Sequence, residues 1–166
     1  MSGTTSSAEL EDSFILHSHA YQETSQILEV LGAQHGRVGL VARGARRPRS
    51  RWRGILQPFL PLRLSWIGRG ALQTLRGAEA ASFAPALEGM ALMGAFYLNE
   101  LVLNFVRRGD PHPGLFIAYS HALAELRAGG APEPALRRFE LQMLAEVGYG
   151  LNLDHDVLND LPLDPE

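Results

Sequence analysis

The chain has no cysteine and no lysine in its 166 residues. Without cysteine, neither a disulfide nor a thiolate-bound zinc site can form, and the composition suits a reducing cytosol. Without lysine, all 15 basic side chains are arginine. The opening stretch MSGTTSSAELEDS has no apolar core of the kind signal peptides carry. No window approaches the roughly eighteen apolar residues of a membrane span, so neither feature is expected. Catalytic signatures are missing too: there is no Gly-x-Ser-x-Gly elbow and no Walker-type phosphate loop. The glycines at 36, 39 and 44 lack the strand-to-helix setting of a dinucleotide site. Glu23 and Glu29 sit on separate turns of chain rather than as the paired carboxylates of a hydrolase. No enzymatic activity and no cofactor are expected.

Acidic residues are missing from one long stretch. Between Val30 and Ala78 there is no Asp or Glu, but there are ten arginines. Residues 1–29 hold five acids and no arginine, and residues 79–166 hold thirteen acids against five arginines, so the net charge of −3 conceals a strongly cationic middle. Its densest part, RVGLVARGARRPRSRWR, places seven arginines in seventeen residues: Arg37, Arg43, Arg46, Arg47, Arg49, Arg51 and Arg53. Such a field attracts polyanions by steering and counterion release. Guanidinium also grips phosphate bidentately and stacks on bases, which an ammonium does not. Trp52, between Arg51 and Arg53 and with Phe59 and Trp66 nearby, has the placement of a base-stacking platform in single-strand binders. The competing readings are a solvated charged loop and a tryptophan that belongs to the core.

Residues 1–12 are small and polar and read as a disordered N-terminus. Residues 13–80 show short alternating runs broken by glycine and proline, the pattern of a small antiparallel barrel. The strands predicted are Ser13–His17, Thr24–Leu31, Gly36–Arg43, Ile55–Ile67 and Ala71–Leu75, with 44–54 as an exposed loop. On the third strand, Val38, Leu40 and Ala42 face one side, and Arg37, Val41 and Arg43 the other. Five short strands with a cationic loop suit an OB-type barrel, and an SH3-like barrel fits almost as well. From Ser82 the period becomes helical. Residues 81–150 predict three amphipathic helices: one capped by Ser82 with Pro85 in its first turn, one over Gly114–Arg127, and one starting at Pro132 and stopped at Gly148. The first is expected to bury Leu87, Met90, Leu98, Val102 and Phe105. Residues 151–166 form an acidic, proline-containing tail with no core pattern.

Taken in order, FILHSHAYQETSQILEV, GRVGLVARGAR, LQPFLPL, TLRGAE, YLNELV and PEPALRRFELQMLAEVGYG resemble RecO, a family of bacterial recombination mediators and DNA-repair proteins, from about Phe14 to Gly150. The resemblance implies an OB fold followed by an α-helical domain, and a cytoplasmic, nucleoid-associated protein. It implies binding of single- and double-stranded DNA, annealing of complementary strands, and loading of RecA in concert with RecR and the C-terminal tail of single-stranded DNA-binding protein. The seven belt arginines match the family's basic surface. On the same resemblance Arg137 and Arg138, within LRRFEL, are the candidates for holding the acidic, Phe-ended tail against an apolar groove. The chain departs from the family in having no cysteine cluster for zinc. Family members also continue past this point, so the sequence reads as a fragment or a shortened product.

Sharper site readings are weaker. His17 and His19 form an H-x-H pair with no further ligand at a persuasive spacing, and His155 between Asp154 and Asp156 sits in the acidic tail, so no metal site is expected. Glu100 and Glu140, in largely apolar helices, are expected to bridge to Arg137 or Arg138. The function expected is therefore a non-enzymatic DNA-repair mediator. The alternative is an adaptor whose arginine belt binds an acidic protein, and a metal-dependent nuclease using the histidines comes third.

Overall fold

The computed structural model describes residues 9–149 and two short strands further on, 155–156 and 161–162. The segment 1–8 and most of the acidic tail, including the Asp154 and Asp156 side chains expected beside His155, lie outside the described residues. Five strands make a closed barrel: β1 (Glu11–Tyr21), β2 (Ser25–Gly32), β3 (Gly36–Ala42), β4 (Leu62–Ile67) and β5 (Gln73–Ala80). They are ordered β1-β2-β3-β5-β4, and β4 returns to pair with the start of β1. Because β4 crosses over to β1, β5 comes back alongside β3 in parallel, joined at Leu40–Gln73 and Val41–Thr74. This is the OB arrangement, and it decides against the SH3-like alternative.

Alternation builds the barrel interior as expected for β3: Val38, Leu40 and Ala42 are buried with Ile15, Leu28 and Leu64. Each fully buried Leu or Ile contributes about 1.5–3 kcal/mol. β1 is longer than predicted at both ends. It begins at Glu11, inside the segment expected to be disordered, because the buried Glu11 carboxylate accepts hydrogen bonds from the Gln34 and His35 amides (2.6 and 2.9 Å) and so closes the β2–β3 hairpin. A bulge between Ile15 and His17 bends the strand. β4 is shorter than the predicted Ile55–Ile67. Residues 55–61 are irregular, since Pro58 and Pro61 lack the amide that ladder pairing needs. β5 starts two residues later than predicted and runs on to Ala80.

Three helices follow: α1 (Gly89–Phe105), α2 (Pro113–Ala128) and α3 (Glu133–Glu146). A short antiparallel pair, β6 (His155–Asp156) and β7 (Leu161–Pro162), comes after them. The first helix does not begin at Ser82. Residues 83–88 run on without helix, since Pro85 biases the preceding Ala84 away from the helical region. The stretch is held by buried Leu87 and by Arg127 Nε donating to the Pro85 carbonyl (3.1 Å). α1 is apolar on most sides, so its periodicity misleads. The buried stripe is Ala95, Leu98, Asn99 and Val102, whereas Met90 and Phe105, expected inside, are 61% and 50% exposed.

The barrel and the helices share a core. Phe14, Leu16 and Leu31 lie on the side of their strands facing away from the barrel interior. They pack with Phe59, Leu98, Tyr119 and Phe139 in a second apolar cluster. Phe14 and Tyr119 meet edge-on at 5.1 Å between ring centroids. A buried polar chain crosses the seam: Tyr119 donates its hydroxyl proton to Asn99 Oδ1, and Asn99 Nδ2 donates to the Leu16 carbonyl at 2.8 Å. Arg127 also donates to the carbonyl of Phe59, which adopts a positive φ of 67°.

Candidate nucleic-acid interface

The belt arginines do not form one surface. Arg37 leaves it altogether: its side chain is only 18% exposed and donates to Glu29 Oε2 (2.9 Å) and to the Leu103 and Val106 carbonyls (2.8 and 2.9 Å). Arg108 donates to both oxygens of the same carboxylate and to the Ala71 carbonyl (3.0 Å). Burial pushes the Glu29 carboxyl up, but the hydrogen bonds and charges of Arg108 and Arg37 outweigh it and hold it below its ordinary value. The same pairing raises Arg108. The alternation that put Arg37 on the outer face of β3 is right. That face is covered there by the connector after α1, where the Gly109 amide donates to the Arg37 carbonyl (2.8 Å) and a Cβ on Gly36 would collide with the Asp110 carbonyl. The Arg37 guanidinium, expected among the DNA-contacting arginines, is thus engaged with Glu29 and the end of α1 instead of standing open with the other belt arginines.

Trp52, expected as a stacking platform, is enclosed as well. It is 7% exposed and packs into the barrel core, so it is not an open stacking platform. Arg51 lies over its ring, 4.0 Å from guanidinium carbon to centroid, and donates to the Arg76 carbonyl (3.1 Å). Phe59 is buried against Phe96 and the helices, and Trp66 leans on His35, so neither aromatic stands beside the belt.

The other six belt arginines, Arg43, Arg46, Arg47, Arg49, Arg51 and Arg53, are exposed on the connection between β3 and β4. The loop is shaped by its own backbone turns, Arg47 to Gly44, Ser50 to Arg47 and Arg53 to Ser50, with Trp52 as the plug beneath it. Arg46 docks it on the β1–β2 turn through the Gln22 and Glu23 carbonyls (3.4 and 3.3 Å), and Arg53 donates to the Pro48 carbonyl (3.0 Å). Arg43, Arg47, Arg49 and Arg51 line a groove of about 390 Å³ whose opposite wall is β5, with Thr74 and Arg76. No carboxylate lines it, and none of its arginines is in an ion pair among the described residues. Arg76 was missed as a site residue. It falls within the acid-free stretch, but only the parallel β3–β5 pairing brings it to the loop. Such a groove can neutralise several phosphates at once.

On the helical side, Arg137 and Arg138 project from α3 and are 73% and 62% exposed. Arg137 binds Glu140 (2.6 Å), and the Tyr97 hydroxyl donates to the same carboxylate (2.7 Å), while Arg138 pairs with Glu125. Burial pushes Glu140 up, but the Tyr97 and Arg137 hydrogen bonds bring it below its ordinary value overall. The bridge expected of Glu140 is present. Glu100 is exposed and pairs with neither arginine among the described residues. Beside this network α1 exposes Met90, Met93 and Phe96.

The zinc implied by the family resemblance does not fit, since the sequence supplies no thiolate. Among the described residues no three His, Asp or Glu side chains are grouped to hold a metal, and His17 and His19 stand without a further ligand. No described helix is long and apolar enough to cross a membrane.

Comparison with known proteins agrees with this architecture. The family profile described as "Recombination protein O N terminal" matches residues 8–83, and "Recombination protein O C terminal" matches residues 87–166. The chain is 49% identical over 147 residues to the DNA repair protein RecO of Azoarcus sp., covering 89% of this chain and 60% of that protein. It is 47% identical over 157 residues to the one from Nitrosospira multiformis, covering 95% and 65%, and 46% identical over 155 residues to the one from Aromatoleum aromaticum, covering 93% and 64%. The chain thus spans between 60% and 65% of the length of these curated relatives.

Proposed function

Because this chain belongs to the RecO family of DNA repair proteins, we propose that its barrel binds single- and double-stranded DNA by the phosphate backbone, in the groove of Arg43, Arg47, Arg49, Arg51 and Arg76. The observation that carries this reading is that five arginines line one groove without a carboxylate among them. Arg46 and Arg53 set the shape of the loop and add to its field. Phosphate contacts position a protein on DNA without reading sequence, so binding is indifferent to base order. A groove that neutralises phosphate also lowers the repulsion between two approaching strands, which is a physical route to annealing.

In this reading residues 13–80 are the DNA-binding unit and residues 81–150 the protein-docking unit of a recombination mediator, without catalytic activity of its own. It acts with RecR to load RecA onto DNA covered by single-stranded DNA-binding protein. The acidic tail of that protein binds beside Arg137 and Arg138, next to the exposed apolar residues of α1. Strand annealing is the direct test. Two complementary labelled oligonucleotides should pair faster with the wild-type chain, and a variant with Arg43, Arg47, Arg49 and Arg76 changed to Gln should lose most of the acceleration. Equal annealing by both proteins would move the DNA site elsewhere and favour an acidic protein as the partner of the belt.

A further inference from the structure

Beyond the β1–β2 turn on which the arginine loop docks through Arg46, the outer face of the β1–β2–β3 sheet carries a row of exposed rings. The register sets His17 against Glu29, His19 against Ile27 and Tyr21 against Ser25, and then Glu29 against Gly39 and Ile27 against Val41. Partners across a ladder share a face, and since Leu28 and Val30 fill the interior, these residues point outward. His17 and His19 are exposed, and Tyr21 is 37% exposed. The two histidine rings lie 5.9 Å apart with a 32° tilt, so they form one ledge that Tyr21 extends along the strand.

Both ends of the ledge lead somewhere. Past Tyr21 comes the Gln22–Thr24 turn, where the belt touches the barrel: Arg46 donates its amide to the Thr24 carbonyl (2.9 Å) and its guanidinium to Gln22 and Glu23. At the other end, His17 borders a cleft of about 580 Å³ between β1 and α1, whose apolar wall includes Leu16, Phe96 and Leu103. Within these rows the acid is Glu29, which Arg37 and Arg108 neutralise, while the exposed acids Glu23 and Glu100 stand at the two ends, in the turn and in the cleft, and not between the rings.

We propose that His17, His19 and Tyr21 are a stacking ledge for the unpaired bases of a DNA single strand whose phosphates lie in the arginine groove. This rests on the phosphate-binding reading and deepens it. The groove offers no open aromatic face of its own, because Trp52 is buried beneath Arg51. Arginines alone hold paired and unpaired strands alike. A row of flat exposed rings engages bases only when they are out of the duplex.

The test compares three labelled ligands of equal length, an oligo-dT strand, an abasic strand and a duplex, using the wild-type chain and His17→Ala/His19→Ala/Tyr21→Ala. Wild type should bind oligo-dT more tightly than the abasic strand. The variant should lose about tenfold or more on oligo-dT and little on the abasic strand or the duplex. Tyr21→Trp in the wild-type background should keep oligo-dT binding, and an unchanged melting curve excludes misfolding, since all three side chains face solvent. The ledge is refuted if the triple variant binds oligo-dT like wild type, if it weakens all three ligands equally, or if wild type does not distinguish oligo-dT from the abasic strand. Failure of the groove reading looks different: Arg43→Gln/Arg47→Gln/Arg49→Gln/Arg76→Gln would then bind all three ligands as wild type does.

Discussion

Arg37→Ala tests the proposed division of the belt into a structural part, which holds Arg37, and a DNA-binding part. The guanidinium makes three hydrogen bonds, at 2.9 Å to Glu29 and at 2.8 and 2.9 Å to the Leu103 and Val106 carbonyls that end α1. Truncation leaves these carbonyls without that donor and leaves the largely buried Glu29 with Arg108 as its remaining ion-pair partner. Each poorly satisfied buried acceptor costs roughly 1–3 kcal/mol, and with partial access to water the sum is about 3 kcal/mol. For a chain of this size each kcal/mol shifts the melting temperature by about 2–4 °C, so the variant should melt about 10 °C lower. The assay pairs thermal unfolding by circular dichroism with oligonucleotide binding measured well below the transition. Affinity of the folded variant should stay within about twofold of wild type, whereas Arg47→Ala should leave the melt unchanged and weaken binding. Arg37→Lys should recover only part of the stability, because an ammonium does not present the guanidinium fork. A melt like wild type combined with lost DNA binding would refute the reasoning and return Arg37 to the phosphate grip.

Three further outcomes follow from the same geometry. The Glu29 carboxyl is held below its ordinary value, so its contribution to stability is fully present above the unfolded-state pKa of about 4.3 and is lost as pH falls through the lower folded-state value. Glu29→Gln should flatten that acid limb in a series of melts below pH 5, and a limb unchanged by the substitution would contradict it. Tyr119→Phe leaves the buried Asn99 Oδ1 without its donor and should cost about 1–3 kcal/mol, read as a lower denaturation midpoint at unchanged slope. Trp52→Ala should cost about 3–5 kcal/mol as a core truncation, while Trp52→Phe should retain near wild-type DNA affinity; a large affinity loss in a well-folded Trp52→Phe would restore the stacking role.

Much of the barrel was legible because alternation on β3 and the proline and glycine breaks are local signals. The cationic loop was legible too, as an acid-free run of sequence needs no structure to be seen. What could not be read depends on distant partners. Alternation predicts Arg37 and Arg43 on one face, yet Arg37, on β3, is covered by the connector after α1 and Arg43, just past the end of β3, is open, a difference set by Glu29 and residues 103–109. Trp52 sits among exposed arginines in sequence, but the irregular loop turns its side chain inward, and no periodicity announces that. Arg76 joins the groove only through the parallel β3–β5 pairing. On α1, apolar residues on nearly every side hid which stripe is buried, and the polar Asn99 turned out to lie within it.

The central claim, that the arginine groove grips DNA phosphates, is tested most directly by oligonucleotide affinity across a salt series. The proteins to compare are wild type and the variant with Arg43, Arg47, Arg49 and Arg76 changed to Gln, leaving in place Arg46, Arg51 and Arg53, which hold the loop together. At about −0.7 per phosphate contact on a single strand, the slope of log K against log salt should become shallower by about three, with weaker binding at low salt. Equal slopes and equal affinities for the two proteins would contradict the account.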